Sequence, residues 1–415
     1  MKIKRHVLLI TAFVFACIQV QGKIWLVGKN TPHPAIKPVI EMAAVGDTVV
    51  ITAGLYKEGN IQVDKALTIH GMGNPVLDGE GKYEILTIEA SGTIVQNITF
   101  RNTGYSSIKE LAAIKVRNVT GVTLHNNTVI NTHFAIYLEW VYNAVVSGNR
   151  LVSNKPNELL SGNGIHCWRG DNIQIFGNTI VGHRDGIYFE FVNNSMIRNN
   201  VSYLNFRYGL HFMFSNSNVY YRNRFTDNGA GVAVMYSKEV DMIENQFDEN
   251  WGAASYGLLI KEISRSTISG NRFLNNTTGV YIDGSTGLNM ERNLFRSNGW
   301  AMKIMANCME VRVFESDFLA NTFDVSTNGK VSLNRFERNY WDNYEGYDLD
   351  RNGVGDVPYR PVSLYSMIVE RNPPAVMFMR SFMVNILDRV ERIMPTLIPE
   401  LLVDEKPHLK RNLND

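Results

Sequence analysis

Between Asn127 and Asn334 the chain repeats itself. An Asn leading a short apolar triplet recurs at Asn127, Asn149, Asn178, Asn200, Asn223, Asn245, Asn271, Asn293 and Asn334, with Ser316 filling one place, and most gaps are roughly 22 residues. In the clearest copies, 178–228, a second polar residue stands five positions on, followed by a Gly and an alternating strand. A fixed period of this size means a solenoid. A unit so small cannot bury its own apolar face, so successive units must stack.

The alternation assigns each side chain a direction. The strands after the Gly read GIHCW, GIYFE, GLHFM, GVAVM, GLLIK and GVYID, with AMKIM as a further copy. Their second and fourth residues, such as Ile187/Phe189 and Leu210/Phe212, are apolar and face inward. The third and fifth are mixed and face outward: His166/Trp168, Tyr188/Glu190, His211/Met213, Ala233/Met235, Leu259/Lys261, Tyr281/Asp283 and Lys303/Met305. The fold class is all-β: a right-handed parallel β-helix. A leucine-rich repeat would need Leu at fixed positions and a helix in every unit, and neither is present. The recurring Asn residues read as scaffold, tolerating left-handed corners and bonding to the Asn one coil away.

Residues 1–22 read as an export signal. MKIKRH supplies positive charge, Val7 to Ile18 an apolar run too short to span a membrane, and Val20-Gln21-Gly22 a cleavage site; lipid attachment at Cys17 is the alternative. The β-helix domain then occupies 23–362. Within it, 23–46 form a cap whose helix buries Ile36, Val39, Ile40 and Ala43, and 46–125 are less regular coils. Insertions fall at 155–161 and 248–255. Residues 363–415 form a C-terminal helical segment and tail. Val376, Met379, Met383, Ile386, Leu387, Val390 and Met394 recur at helical spacing over about 20 residues. The tail beyond Asp404 is polar and expected to be mobile. A formal net charge of +1 argues against a nucleic-acid binder, and Cys17, Cys167 and Cys308 do not make a disulfide scaffold.

Four groups of residues bear on chemistry. His211 and Met213 share the outer face of one strand, and Met235 follows one coil on; imidazole with two thioethers is a donor set suited to Cu(I). His166 and Met305 are expected to extend the same columns. The other reading of this face is an adaptable docking surface. Asp348, Asp350, Asn352 and Asp356 resemble the front half of a calcium loop around Gly353. Tyr359 stands where an EF-hand needs Glu, which leaves a looser calcium loop or a plain turn. Glu139 and Glu190 are outward carboxylates two coils apart, roughly 10 Å, wide for a glycosidase pair. Last, the apolar face of the C-terminal helix, with Met379, Phe382, Met383, Ile386, Leu387 and Val390, reads as an end cap or as a handle for a partner; it is too short and too charged for a membrane span.

RDGIYFEF, RYGLHFMFS, NGAGVAVMYS, YGLLIKEI, NYWDNYEGYDLDRNGVGDVPYRP and VSLYSMIVE together resemble the NosD family, over residues 35–400 or so. The resemblance implies a periplasmic, non-enzymatic role beside an ABC transporter made of the permease NosY and the ATPase NosF. It further implies assistance with the copper–sulfur centre of nitrous oxide reductase, with the lipoprotein NosL as copper donor. On that analogy the C-terminal helix meets the permease, and the His/Met face docks copper or its carrier. The alternative is a carbohydrate-processing enzyme of lyase or epimerase type on the same fold.

Overall fold

Each coil makes three short strands separated by three bends. In one central coil these are Ile187–Asn193, Met196–Arg198 and Val201–Tyr203. Each pairs in parallel with its counterparts in the coils before and after. Among the described residues the strands make sheets of 12, 14 and 13 members. The architecture is a right-handed parallel β-helix. The computed structural model describes residues 22–329, 333–379, 381–393 and 402–413. All of the expected export signal except Gly22, the lipid alternative at Cys17 and the predicted helix end at Met394 lie outside them.

The bends use single left-handed residues, and these are not the repeating Asn residues themselves. The residue before each takes that conformation: Asn199, Arg222, Glu244 and Gly270 have φ of 53°, 53°, 52° and 65°. This turns the following Asn inward. Asn200 is fully buried. Its Oδ1 accepts from the backbone N and the Nδ2 of Asn178, both at 2.9 Å, while its Nδ2 donates to the Ile175 carbonyl at 3.0 Å and to Asn223 Oδ1 at 2.9 Å. Every buried amide is thereby satisfied by the coils beside it, as burial requires. The ladder passes through Ser316 to Asn339, not to Asn334, because Asn339 Oδ1 is what the Ser316 amide meets. A second ladder runs through Asn205, Asn228, Asn250, Asn276, Asn298 and Asn321, with His183 at its head.

The inward apolar residues also stack rung on rung. Phe225, Phe247, Phe273, Phe295, Phe318 and Trp341 form a continuous ring column, with centroids 4.0–5.7 Å apart. At the N-terminal end, α1 (Ile36–Met42) buries Ile36, Val39 and Ile40 against the first coil. Ala35 offers no capping side chain, and the Glu58 carboxylate receives the Ile36 and Lys37 amides instead. The coils over 46–125 join the same three sheets as the rest.

The C-terminal segment differs from its sequence pattern. The expected single helix is two pieces: a 3-10 turn over Pro373–Phe378, begun by consecutive prolines, and α3 (Phe382–Ile393), whose first turn is bonded by Ser381 Oγ to the Val384 amide at 3.3 Å. An additional helix, α2 (Leu364–Arg371), precedes them, capped by Ser363. It sits on the last coil through Tyr365 against Phe323 and through Glu370, which accepts from Lys303 Nζ at 2.7 Å and Ser326 Oγ at 3.1 Å. The polar tail is not free. Asp404, fully buried, accepts from the Asn339 backbone, Asn339 Nδ2, Trp341 Nε1 and the Arg338 and Lys406 amides at 3.0–3.2 Å. It ends the Asn ladder and the aromatic column together. Asn412 and Leu413 then bond to Asp317.

Candidate metal-handover site

The outer face of the 12-strand sheet carries the predicted His and Met residues. The β-helix repeat places Met213 and Met235 directly across from each other on adjacent strands, with Glu190 one rung before and Lys261 one rung after. Both methionines point away from the lumen and are half-buried. His211 lies on the same wall, two residues from Met213, but it is 5% exposed rather than open. Tyr188 and Tyr208 cover it, with ring centroids 5.0 and 4.8 Å away. Its Nδ1 lies 3.8 Å from Asp185 Oδ2, and neither ring nitrogen has a hydrogen-bond partner among the described residues. Tyr188 Oη donates to Glu190 at 3.2 Å and reaches Met213 Sδ at 3.7 Å. Burial, with the Glu190 charge beside it, pushes that phenol up from its ordinary pKa.

The two residues expected to prolong the columns do not. His166 is on the outer wall but stacked between Tyr137 and Tyr188, at 4.6 and 4.7 Å. Its Nδ1 is 2.9 Å from Asn163 Nδ2, and burial lowers its pKa to about 3. Met305 follows the end of strand Trp300–Ile304, where the chain turns, and its side chain belongs to the core.

The other candidates have separate fates. In the acidic turn, Asp348 accepts from the Asn352 and Gly353 amides, Asp350 from Asn352, Asn352 Oδ1 from Val354, and Asp356 from Leu349. Each of these side chains is thus engaged within the turn itself. Glu139 and Glu190 are two rungs apart with Trp168 between them. On the C-terminal segment Met379, Phe382, Met383 and Ile386 are exposed, Phe382 by 79%, while Leu387 and Val390 are half-buried. Met383, Ile386, Leu387 and Val390 border an apolar groove of about 560 Å³ between α2 and α3, also lined by Tyr365 and Ile368; Met379 and Phe382 lie outside it. No helix of the described residues is long and apolar enough to cross a membrane.

Among the described residues no three His, Cys, Asp or Glu side chains are grouped to hold a metal. The soft donors this wall does present are the sulfurs of Met213 and Met235. Two thioethers in register beside an imidazole with unpartnered nitrogens fit a soft cation such as Cu(I) and suit hard cations poorly.

One feature of this wall escapes inspection of the alternating strands alone. The corner residue immediately after each strand's outward pair is aromatic or cationic in five successive coils: Trp140, Arg169, Phe191, Phe214 and Tyr236. The signal was a constant offset, one residue beyond Glu139, Trp168, Glu190, Met213 and Met235.

Three in-register walls around an apolar lumen, edged by Asn ladders at the bends, make a right-handed parallel β-helix whose outer face carries two methionines in register. The family described as periplasmic copper-binding protein (NosD) matches residues 155–346, and the right-handed β-helix region matches 53–180. A Pseudomonas aeruginosa protein, described as "Probable ABC transporter binding protein NosD", is 27% identical over 385 residues, 87% of each chain. Its namesake from Stutzerimonas stutzeri is 24% identical over 87% of this chain and 86% of its own. Over residues 155–346 the chain matches the NosD family, and its two NosD-named relatives extend that similarity over most of its length. Among solved structures, the catalytic domain of a GH87 α-1,3-glucanase superposes with a TM-score of 0.63 at 12% identity, covering 77% of this chain and 69% of the glucanase. That likeness is one of fold.

Proposed function

We propose that this chain is a periplasmic, non-enzymatic accessory of an ABC transporter that helps to assemble the copper–sulfur centre of nitrous oxide reductase. Cu(I) is its cargo, held briefly by Met213 and Met235 with His211 as the nitrogen donor. The observation that carries this reading is the in-register pair of outward sulfurs beside an imidazole whose ring nitrogens make no hydrogen bond among the described residues. Few and soft donors on an outer wall suit handover, since a complete buried set would retain the ion. NosL is the proposed donor and nitrous oxide reductase the recipient.

The permease NosY, driven by the ATPase NosF, would engage the exposed face of Met379, Phe382, Met383 and Ile386 and the groove beside it. An apolar helix laid into such a groove is a common mode of recognition. A glycoside-cleaving reading is less favoured. Glu139 and Glu190 stand roughly 10 Å apart, beyond the usual span for paired carboxylates, and Trp168 fills the rung between.

Anaerobic Cu(I) titration against a competing chelator tests the proposal. The parent should bind one Cu(I), and the combined His211→Ala, Met213→Ala, Met235→Ala variant should lose at least tenfold in affinity. Equal binding by the two would remove the site.

A further inference from the structure

The corner column deserves a reason that stability does not supply. Register aligns Asn118, Trp140, Arg169, Phe191, Phe214, Tyr236, Glu262 and Gly284 on one edge of the 12-strand sheet. All eight have positive φ, between 50° and 59°. Asn and Gly accept that conformation readily; bulky side chains do so under strain. Asn fills other corners of this solenoid, as at Asn97–Asn126 and Asn143–Asn172, where its amides bond from rung to rung. Yet here three consecutive coils set large rings in the strained position and leave them in solvent. Phe191, Phe214 and Tyr236 are 41%, 39% and 36% exposed. They stack at 5.2 and 5.1 Å with planes within 15° of parallel, so their edges form one apolar rail. Bulky residues take positive φ at other corners too, Leu204 and Arg222 among them, so what sets this column apart is its run of three stacked, partly exposed rings.

The rail continues through a cation. The Arg169 guanidinium lies 4.6 Å from the Trp140 ring, 5.0 Å from Trp168 and 5.6 Å from Phe191. The nearby Asp171 carboxylate is engaged by Asn194 Nδ2 at 2.7 Å, and Glu190 by Tyr188. Arg169 thus presents its charge from within an aromatic frame. The rail also has a fixed neighbour: Glu190, Met213 and Met235 precede Phe191, Phe214 and Tyr236 by one residue, so the two sulfurs run along its flank. Five rungs span about 19 Å, a length that suits a brief encounter and is too small alone for a lasting interface.

We propose that this aromatic corner is the docking rail for the protein that carries Cu(I) to Met213 and Met235, and that the carrier meets it with apolar side chains surrounding a carboxylate opposite Arg169. This rests on the copper-handover reading above. The rings supply contact area at little rotamer cost, the arginine sets the register along the rod, and the sulfurs are brought within reach of the carrier's ion.

The test replaces Phe191, Phe214 and Tyr236 together by Asn, the residue that already occupies this corner at Asn118. The mature chain is titrated anaerobically with Cu(I)-loaded NosL, and separately with Cu(I) and a chelator. The triple variant should bind the carrier at least tenfold more weakly, melt no lower than the parent and keep the parent's own Cu(I) affinity. Phe214→Asn alone should give a partial loss, and Arg169→Glu a larger loss than Arg169→Gln. Unchanged carrier binding in the triple variant overturns the rail while leaving copper handover intact. Carrier binding absent from the parent overturns both.

Discussion

Replacing Asp404 by Ala should open the C-terminal end of the rod and leave its middle closed. The carboxylate is fully buried and receives five N–H groups, three of them on Oδ2: the Asn339 backbone, Asn339 Nδ2 and Trp341 Nε1. The Arg338 and Lys406 amides bond to Oδ1. A buried donor left without an acceptor costs about 1–3 kcal/mol. Three such donors, partly relieved by entering water, bring the local loss to about 3–5 kcal/mol. Asp404→Asn can keep its carbonyl oxygen toward the Oδ2 donors and should cost about 1–3 kcal/mol, from the two amides then facing its NH2 group. Because a solenoid is held by nearest-neighbour contacts, the loss should stay near its source. Hydrogen exchange read by mass spectrometry is the assay. Peptides over 335–341 and 402–412 should exchange a hundredfold or more faster in the Ala variant, while peptides over 196–226 keep their protection. Unchanged exchange at 335–341 would refute the capping role. Equal loss in the central coils would refute the local character of the stability.

The ladders and the partner face yield further expectations. Asn200→Ala removes the acceptor of both Asn178 donors and should lower stability to denaturant by about 2–4 kcal/mol, measured by urea unfolding. His183 is buried at the head of the second ladder, and burial lowers its pKa to about 4. The unfolded chain therefore takes up a proton below about 6.5 that the folded chain refuses until about 4. The stabilisation is complete above pH 6.5 and lost as the pH falls toward 4, so His183→Asn should narrow the gap in Tm between pH 7 and pH 5; an unchanged gap would mean that His183 does not contribute. Met383→Asp with Ile386→Asp should abolish co-purification with the permease without moving the Tm of the rod. Retained co-purification would place the permease contact elsewhere.

Much of the architecture was readable before any coordinates, because the solenoid imposes a local rule many times over. Alternation put Phe189 and Phe212 inside and Met213 and Met235 outside, and register then stacked them. What escaped depends on contacts between distant parts of the chain. That His211 is covered follows from the sizes of Tyr188 and Tyr208, which the strand pattern does not weigh. Met305 goes inward because its strand has already ended. The shift from Asn334 to Asn339 follows from which side chain reaches the Ser316 amide. The polar composition of the last residues suggested a loose tail, and nothing local marks Asp404 as the acceptor at the end of the Asn339 ladder and the Trp341 column. The aromatic corner left a visible offset in the sequence, but its exposure and positive φ appear only in the fold.

The plug at Asp404 changes what kind of object the helical segment is. With the chain returning to the rod at 402–412, α2 and α3 are carried on a closed loop, like the bail of a bucket, and not on a trailing end. A partner that grips α3 and moves would haul on the terminal coil from two attachment points at once. Load would reach the stacked rings through Trp341 and the buried amides through Asn339 in the same stroke, so the rod would be turned or shifted as one stiff piece before any single coil peeled away.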